Sequence, residues 1–477
     1  MTAASRPEYE PGSFRDRSAR VFFGEDGAVF RALSGAALED WNALAATRFF
    51  RTFTADGRLV ATERASDEAA RLASLDGCWA AVLRHEAIPF VSYPYEWSFG
   101  MLKDASLLQL DLLLAALDEG MILKDGTPYN VQWIGTRPVF IDIGSIARLR
   151  PGEPWAGYRQ FCRLCLYPLL LQAYKNVSAQ AWLRGSLEGI SAEACSRLMS
   201  ARDLLRPGVL THVSLQAQAE ARAATATRNV KEELRRAGFN QALIRANVQR
   251  LRKLVSGLEW GQQRSAWSEY ADHNTYQPQE AAQKAAFVQR AAAARPRNLV
   301  WDLGSNTGRF AQLAAAHARY VVAVDADELS VERMYRRLSA EGVRNVLPLV
   351  GNIADPSPGL GWRGRERLPL PDRGRPDLVL NLALIHHVVL GANVPLGEYI
   401  DWLAGLGGDV VIEWVGRSDP MVEALLRHKE DLFDDYDHAY FESRLASRFE
   451  VVERQALSSG TRTLYHAVPR RGSSGGA

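Results

Sequence analysis

The stretch Leu299-Val-Trp-Asp-Leu-Gly-Ser-Asn-Thr-Gly-Arg-Phe310 decides the expected fold of this 477-residue chain. An apolar run leads into a glycine-containing turn and then into a helical pattern, which predicts a strand, a tight turn and a helix. Glycine lets such a turn adopt positive φ and lets a ligand approach the backbone. The spacing of Asp302, Gly304, Asn306 and Gly308 differs from the phosphate-binding Gly-x-Gly-x-x-Gly pattern. An acid at the strand end favours an ammonium group over a pyrophosphate.

Three more apolar runs follow, and each ends in a polar residue. The first ends at Asp325, the second is followed by Asn352, and the third ends at Asn381. In open α/β sheets the ligand binds at the carboxyl ends of the strands, and an acid after the second strand is placed to accept hydrogen bonds from a ribose. The pattern therefore predicts an α/β fold with a parallel sheet and a nucleoside-binding edge.

These motifs resemble those of class I S-adenosylmethionine-dependent methyltransferases. The resemblance implies a Rossmann-like, seven-stranded sheet with an antiparallel last strand over residues 291–470, with S-adenosylmethionine as cofactor. Asn306 stands where that family most often has glycine, and asparagine tolerates the left-handed region better than other side chains. The cofactor-binding residues that the resemblance implies are Asp302, Gly304, Asn306, Gly308, Asp325, Asn352, Ile353 and Asn381.

Residues beyond the cofactor motifs are candidates for the acceptor side. His386 and His387 follow the fourth strand, where a histidine could take a proton from an acceptor hydroxyl; the alternative is a helix cap or a core histidine. Glu413 ends the fifth strand and is expected on the acceptor side. The segment Asn381-Leu-Ala-Leu lacks the Asn-Pro-Pro-Tyr pattern of base-amino methylases, which favours O- or C-methylation. Candidates for a lid over the cofactor are Tyr270, Tyr276 and Lys284, and the alternative is that the aromatic residues anchor neighbouring domains.

Residues 1–210 resemble a reduced protein-kinase-like α+β domain. Asp125, Asn130 and Asp142 have the order of the catalytic and metal-binding loops of that family, in which such residues act as base and hold magnesium. A short hairpin is expected between Asn130 and Asp142. The resemblance implies Mg-ATP in this region. The alternative is that these three residues only stabilise turns.

This region also departs from the kinase pattern. Asp-Ile-Gly replaces Asp-Phe-Gly, and the first lysine of the chain is Lys103, so no earlier lysine can hold phosphates. Arg51, Arg58 or Arg64 is the expected substitute, although arginine and lysine are not interchangeable.

Other elements are predicted from residue periodicity. A strand is expected at 21–33 and another at 57–62, with a helix at 36–48. Further predictions are a helix at 63–82, a strand at 90–93 and a helix at 105–118. Residues 211–290 are predicted to form a helical linker and cofactor lid, and 471–477 a disordered tail.

Composition bounds the remaining function classes. Hydrophobic residues make up 47% and charged residues 23% of the chain, with a net charge of +2, which is ordinary for a globular protein and disfavours a dedicated nucleic-acid surface. Four cysteines and no signal-like start predict a reducing, cytoplasmic location. Cys162 and Cys165 fall in an apolar helical run, so packing is expected rather than zinc binding. No metal site and no membrane span are expected.

The complete arrangement also resembles bacterial methyltransferases related to a nodulation host-specificity protein. That resemblance implies a saccharide or other small-molecule acceptor. Two alternatives stay open. In one the chain is a bifunctional phosphotransferase and methyltransferase, and in the other a pseudokinase region recruits a protein substrate for methylation.

Overall fold

The computed structural model describes residues 9–24, 27–65, 79–225, 240–262, 264–265 and 278–470. The chain divides into two units. The N-terminal unit comprises Met1–Trp133, Arg137–Gln262 and Leu360–Arg367, and the C-terminal unit comprises Ile134–Thr136, Gln263–Gly359 and Leu368–Ala477. The predicted helical segment 211–290 contributes helices to both units.

The N-terminal unit combines a small antiparallel sheet with helices. Its strands are β1 (Ala19–Phe23), β2 (Val29–Leu33), β3 (Thr62–Arg64), β4 (Ala81–His85), β5 (Met121–Leu123), β6 (Val131–Ile134), β7 (Arg137–Phe140) and β8 (Ile146–Arg148). Its α-helices are α1 (Gly35–Ala45), α2 (Arg48–Ala55), α3 (Phe99–Asp118), α4 (Tyr158–Phe161), α5 (Tyr167–Lys175), α6 (Gln180–Gly185), α7 (Ala192–Leu198), α8 (Leu215–Thr225) and α9 (Gln241–Ser256). The first four strands form one sheet in the order β1-β2-β4-β3. Strands β6 and β7 form a two-stranded sheet, which confirms the hairpin expected between Asn130 and Asp142.

The buried helix α3 is the centre of the N-terminal unit. Its sequence is apolar over most of its circumference, and 13 of its 20 residues are buried, which is typical of a central helix. Helix α9 packs on it, and Arg252 of α9 forms an ion pair with Asp111 of α3. Cys162 and Cys165 are buried in a π-helical turn. Burial raises the pKa of both thiols to about 12, as expected for packing residues.

The C-terminal unit is a seven-stranded sheet flanked by helices. Its strands are β9 (Arg297–Leu303), β10 (Ala318–Asp325), β11 (Val346–Val350), β12 (Leu378–Asn381), β13 (Asp409–Val415), β14 (Phe449–Ala456) and β15 (Arg462–Pro469). Its α-helices are α10 (Pro278–Ala293), α11 (Arg309–Ala315), α12 (Glu328–Ala340), α13 (Leu396–Gly405), α14 (Pro420–Leu426) and α15 (His438–Arg448). The central strands are apolar runs buried on both faces, as parallel strands covered by helices require.

The strand order of this sheet is β11-β10-β9-β12-β13-β15-β14. Strands β9 to β13 pair in parallel, and β15 is antiparallel to both of its neighbours. The chain moves outward from β9 to β11 and then returns to β12 on the other side of β9. This reversal opens a crevice at the carboxyl ends of β9 and β12. The expected class I methyltransferase topology, with its antiparallel last strand, is therefore confirmed.

Charged residues join the strands at the opposite, amino-terminal edge. Asp409 at the start of β13 accepts hydrogen bonds from Arg295 and Arg297, which precede or begin β9. Asp377, just before β12, accepts from the backbone N–H of Asn298 and of Leu299. The strands that carry the crevice are thus fixed to one another at the far end.

Several local predictions in the N-terminal unit are wrong. Residues 21–33 form the hairpin β1–β2, because the chain turns through Gly27 at φ +76°. Both ends of the helix predicted at 63–82 are strands, β3 and β4, which pair with each other. The strand predicted at 90–93 is a loop before a 3₁₀ turn, and most of 57–62 is a turn and a single bridge.

Other predictions agree with the structure. The helix predicted at 105–118 is present and begins six residues earlier, and the helix predicted at 36–48 is α1 followed by α2. The expected antiparallel last strand is β15, which pairs with β14 and β13. Within the described ranges, none of the helices has both the length and the apolar character that crossing a bilayer requires.

Candidate functional site

The turn after β9 forms one wall of the candidate site. Gly304, Asn306 and Gly308 all have positive φ, at +75°, +48° and +82°. The N–H groups of Gly304 and Ser305 donate to the Val324 carbonyl at 2.9 and 3.1 Å, so the turn lies tightly against the end of β10. A Cβ at Gly308 would lie 2.4 Å from the Met334 sulfur. The left-handed Asn306 fits the tolerance expected of asparagine.

Two acids lie at the same edge of the sheet. Asp302 pairs with Ala323 in register, and Asp325 ends the same neighbouring strand. Asp302 is 2% exposed, and its Oδ2 has no hydrogen-bond partner among the described residues. Burial and the neighbouring Asp325 raise the pKa of Asp302 to about 7. Burial raises the pKa of Asp325 to about 6, although its carboxylate accepts from the N–H groups of Asn306 (2.7 Å) and Asp327 (2.8 Å).

A cavity of about 290 Å³ opens at this edge. Its size lies at the lower end of the range for small-molecule sites. The lining residues are Gly304, Asn306, Asp325, Ala326, Asp327, Gly351, Asn352, Ile353, Ala354, Leu382, Ala383, Leu384, His387, Val388, Gly391 and Ala392.

Six residues chosen from the sequence line this cavity. They are Gly304, Asn306, Asp325, Asn352, Ile353 and His387. Asp302, Gly308, Asn381 and His386 do not line it, while Tyr270 and Tyr276 fall outside the described residues. The Asn352 side-chain oxygen accepts from the Ala354 N–H at 3.0 Å and so orders the loop after β11.

Asn381 and the two histidines occupy the segment after β12. Asn381 is fully buried and donates through Nδ2 to the Tyr399 hydroxyl, while its Oδ1 has no partner among the described residues. His386 is also fully buried, and neither ring nitrogen has a partner among the described residues. Its ring centroid lies 4.1 Å from that of His387.

Both histidines are held in the neutral form. Burial lowers the pKa of His387 to about 4 and that of His386 well below its ordinary value, with further lowering by the positive Arg462. His387 begins a π-helical turn that ends at Gly391. The wider turn presents several of its residues to the cavity, and π-helical turns are frequent at functional sites. Neutral imidazoles at this point can accept a hydrogen bond but are weak bases.

The structure contradicts the roles expected for Lys284, in a lid over the cofactor, and for Glu413, on the acceptor side. Neither lines the cavity, because both are buried in an ion pair of 2.6 Å. Glu413 also accepts from Arg462 at 3.2 Å, and Arg462 forms a second ion pair with Asp419 at 2.6 Å. Burial lowers the pKa of Lys284, and the adjacent Glu413 opposes this shift. These side chains form a charged network beneath the site, not a lid over it.

The apolar part of the cavity wall was not predicted from the sequence. Leu382, Ala383 and Leu384 line it, and Ala383 has φ +50°. An alanine carries no sequence signal for positive φ. Gly351 carries a different signal, that of a close approach, since it directly follows β11 and a Cβ there would lie 2.9 Å from a Val324 methyl group.

The N-terminal unit holds a second group of candidates. Arg31 of β2 donates to Asp142 Oδ1 at 2.7 Å, and burial together with the nearby Asp142 raises the pKa of Asp125. The Ile141 N–H donates to the Asn130 carbonyl at 2.8 Å, which fixes that loop. Among the described residues, no group of three or more acidic, histidine or cysteine side chains could hold a metal ion.

The arginine beside Asp142 is Arg31. The expected residues Arg51, Arg58 and Arg64 make other contacts or lie elsewhere. Arg51 donates to the Ala46 carbonyl, and Arg58 pairs with Asp56 at 2.6 Å. Arg64 lies on the exposed strand β3. Arg31 was missed because it lies inside a segment predicted as one continuous strand.

Comparisons with known proteins give one extensive match and several partial ones. No family model matches the chain. The structure of the N-methyltransferase NodS from Bradyrhizobium japonicum WM9 is 14% identical and covers 42% of this chain and 99% of its own, with a TM-score of 0.30. Magnesium protoporphyrin IX methyltransferase from Synechocystis PCC 6803 with bound S-adenosylhomocysteine is 18% identical and covers 40% and 84%, with a TM-score of 0.29. At such TM-scores the fold assignment rests on the strand order described above.

The extensive match covers nearly the whole of both chains. Nodulation protein NoeA of Rhizobium meliloti (strain 1021) is 36% identical over 468 residues, which are 98% of this chain and 97% of the relative. Identity at this level over both units implies a shared architecture from end to end. The chain therefore belongs to the family of the nodulation protein NoeA.

Proposed function

We propose that the C-terminal unit is an S-adenosylmethionine-dependent methyltransferase. The observation that carries the proposal is the cavity at the carboxyl ends of β9, β10 and β12, next to two buried acids with raised pKa values. Such a cavity at the strand reversal is the usual ligand site of an open α/β sheet. Carboxyl groups whose pKa values are strongly raised beside a cleft are candidates for a functional site.

The residues present fit the cofactor. Asp302 Oδ2 is a buried acceptor without a partner among the described residues, which suits the ammonium group of the methionine part. Asp325 lies on the cavity wall, where its carboxylate would accept from the ribose hydroxyls. Asn352 and Ile353 would hold the adenine. A side chain at Gly304 would reach within 3.2 Å of Leu384 on the opposite wall, so glycine keeps the space open.

The role assigned to these residues is to position the cofactor and the acceptor. S-adenosylmethionine supplies a methyl group on a sulfonium, which is already activated for in-line displacement. Holding the acceptor at near-attack distance supplies most of the rate enhancement in such a reaction. His387 would orient the acceptor by accepting its hydrogen bond, because its low pKa makes it a weak base. When an acceptor hydroxyl is methylated its proton must leave, and the neutral His387 imidazole or solvent would take it.

For the acceptor we propose a saccharide or another small molecule. The support is the family relation to a protein named for nodulation, together with the resemblance to nodulation methyltransferases. The test supplies the full-length chain with methyl-labelled S-adenosylmethionine and an extract of the source cells. Label in extractable saccharides supports the proposal. Label in protein would instead favour methylation of a protein recruited by the N-terminal unit.

Binding of the cofactor itself is tested by calorimetry with S-adenosylhomocysteine. We expect saturable binding at one site, competed by S-adenosylmethionine. The matched control is NAD, another adenosine-containing ligand of doubly wound sheets, for which we expect no binding. If neither S-adenosylhomocysteine nor S-adenosylmethionine binds, the proposed activity is refuted.

A second candidate function is nucleotide binding by the N-terminal unit. It is favoured by Arg31, which supplies beside Asp142 the cation that no earlier lysine can supply. A cavity of about 370 Å³ is lined by Arg31, Lys124 and Gly144 among others. Magnesium-dependent ATP binding that is lost in Asp142→Ala would support a phosphotransferase. No nucleotide binding by calorimetry would leave a recruiting role for this unit.

A further inference from the structure

The cavity wall after β12 contains a backbone conformation that its residue does not favour. Ala383 has φ +50°, in the left-handed region, and lines the cavity with its neighbours Leu382 and Leu384. For an alanine this conformation is unfavourable, because Cβ crowds the following carbonyl oxygen, and alanine has no polar side chain to compensate. Some other contact must therefore hold the peptide.

That contact is a hydrogen bond to a buried carboxylate. The Ala383 N–H donates to Glu413 Oε2 at 2.9 Å. Glu413 is 0% exposed, and its other oxygen accepts from Lys284 Nζ at 2.6 Å and from Arg462 Nη1 at 3.2 Å. Arg462 is itself fixed by two hydrogen bonds to Asp419, of 2.6 and 3.0 Å. The carboxylate is thus held from three directions and has no freedom to leave the peptide.

We infer that Glu413 is a positioning residue for the cofactor cavity. Its carboxylate holds the peptide of Ala383 in the left-handed conformation, which sets the positions of Leu382 and Leu384 in the wall. Lys284 and Arg462 hold the carboxylate and balance its buried charge, which is the usual condition for burying an acid. Helix α10, which carries Lys284, is connected in this way to the cavity wall. The ligand named in this inference rests on the proposed function.

The test distinguishes a loss of positioning from a general loss of stability. It adds a second substitution, Ala383→Gly, which removes the cost of the left-handed conformation. In Glu413→Gln the cavity wall loses its charged acceptor, so affinity for S-adenosylhomocysteine should fall by between about 5- and 30-fold, the equivalent of one unfavourable left-handed residue. Glycine adopts positive φ without that cost. Adding Ala383→Gly to Glu413→Gln should therefore restore affinity to within about 3-fold of the parent chain.

The matched control is Glu453→Gln. Glu453 also joins α10 to the sheet, through an ion pair of 2.7 Å with Arg290, but this pair is at the surface and neither residue lines the cavity. We expect unchanged affinity in this variant. Amide exchange of residues 381–385 in the ligand-free chain gives a second readout, because the Ala383 N–H should exchange faster in Glu413→Gln and not in Glu453→Gln.

The results of these measurements show whether Glu413 positions the cavity wall or only stabilises the fold. Parent-like affinity and exchange in Glu413→Gln overturn the inference, and so does a loss of affinity that Ala383→Gly fails to restore. If Glu413→Gln does not fold, Lys284→Gln takes its place, and parent-like affinity and exchange in that variant overturn the inference. Faster exchange in Glu413→Gln combined with no binding of S-adenosylhomocysteine by the parent chain refutes the proposed function and leaves the positioning role intact.

Discussion

Affinity for S-adenosylmethionine should rise with pH between 6 and 8. The pKa of Asp302 in the free protein is raised to about 7, because burial and Asp325 both disfavour its ionised form. A ligand ammonium group beside Asp302 stabilises the ionised form. The cofactor therefore binds the fraction of molecules in which Asp302 has lost its proton, and binding releases a proton from the remainder.

The magnitude follows from the ionised fraction. With a pKa of about 7, Asp302 is about one-tenth ionised at pH 6 and about nine-tenths ionised at pH 8, so the apparent dissociation constant should fall about 10-fold over this range. Asp325, with a pKa of about 6, adds a factor of about 2. His387, with a pKa of about 4, remains neutral throughout and contributes nothing.

The sign of the stability effect is the opposite in the free protein. A carboxyl whose pKa is raised on folding is stabilised in its protonated form, so the free energy of unfolding decreases as pH rises from about 4 to about 7 and levels off above that. Bound cofactor offsets that loss. The increase in unfolding temperature caused by the cofactor should therefore be larger at pH 8 than at pH 6.

Calorimetry in two buffers of different ionisation enthalpy measures both the affinity and the proton release. At pH 7 about half a proton should leave Asp302 per cofactor bound, since the pKa equals the pH. The control variant Asp302→Asn should bind weakly and should keep only the change of about 2-fold that Asp325 contributes between pH 6 and 8. A change of no more than about 2-fold between pH 6 and 8 in the parent chain, or a change close to 10-fold that persists in Asp302→Asn, would refute the reasoning.

Three further predictions concern single residues. Asp325→Ala should abolish detectable cofactor binding, because it removes both the proposed ribose acceptor and the acceptor of two backbone N–H groups; near-normal affinity by calorimetry would contradict the ribose assignment. Gly308→Ala should lower the free energy of unfolding by about 1–3 kcal/mol, since its φ is +82° and the new methyl group would meet the Met334 sulfur; an unchanged urea midpoint would exclude this steric argument. Asp419→Ala should cost about 3–5 kcal/mol in the same assay, because Arg462 loses a buried partner, and a loss below about 1 kcal/mol would mean that the pair is not structural.

The sequence predicted the C-terminal unit well because its signals are local. Each central strand is an apolar run with a polar residue at its end, and the glycines of the first turn are required by positive φ at Gly304 and Gly308. The order of the strands followed from the resemblance to a known family. The same local signals located six of the cavity-lining residues.

The parts that were missed depend on contacts distant in sequence. Lys284 and Glu413 are far apart in the chain, and only the fold reveals that they neutralise each other away from the ligand. Ala383 has an ordinary side chain in an unusual conformation, so no pattern could have identified it. In the N-terminal unit, the β1–β2 hairpin concealed Arg31, the partner of Asp142.

The fixed amino-terminal edge of the C-terminal sheet has a consequence for how this family can diversify. Asp409 and Asp377 bind the residues around the start of β9, so the framework is secured at the end remote from the cavity. Changes in the loops after β11, β12 and β13 need not disturb that anchorage. New acceptor preferences can therefore arise by loop replacement while the strand framework and its register are inherited unchanged.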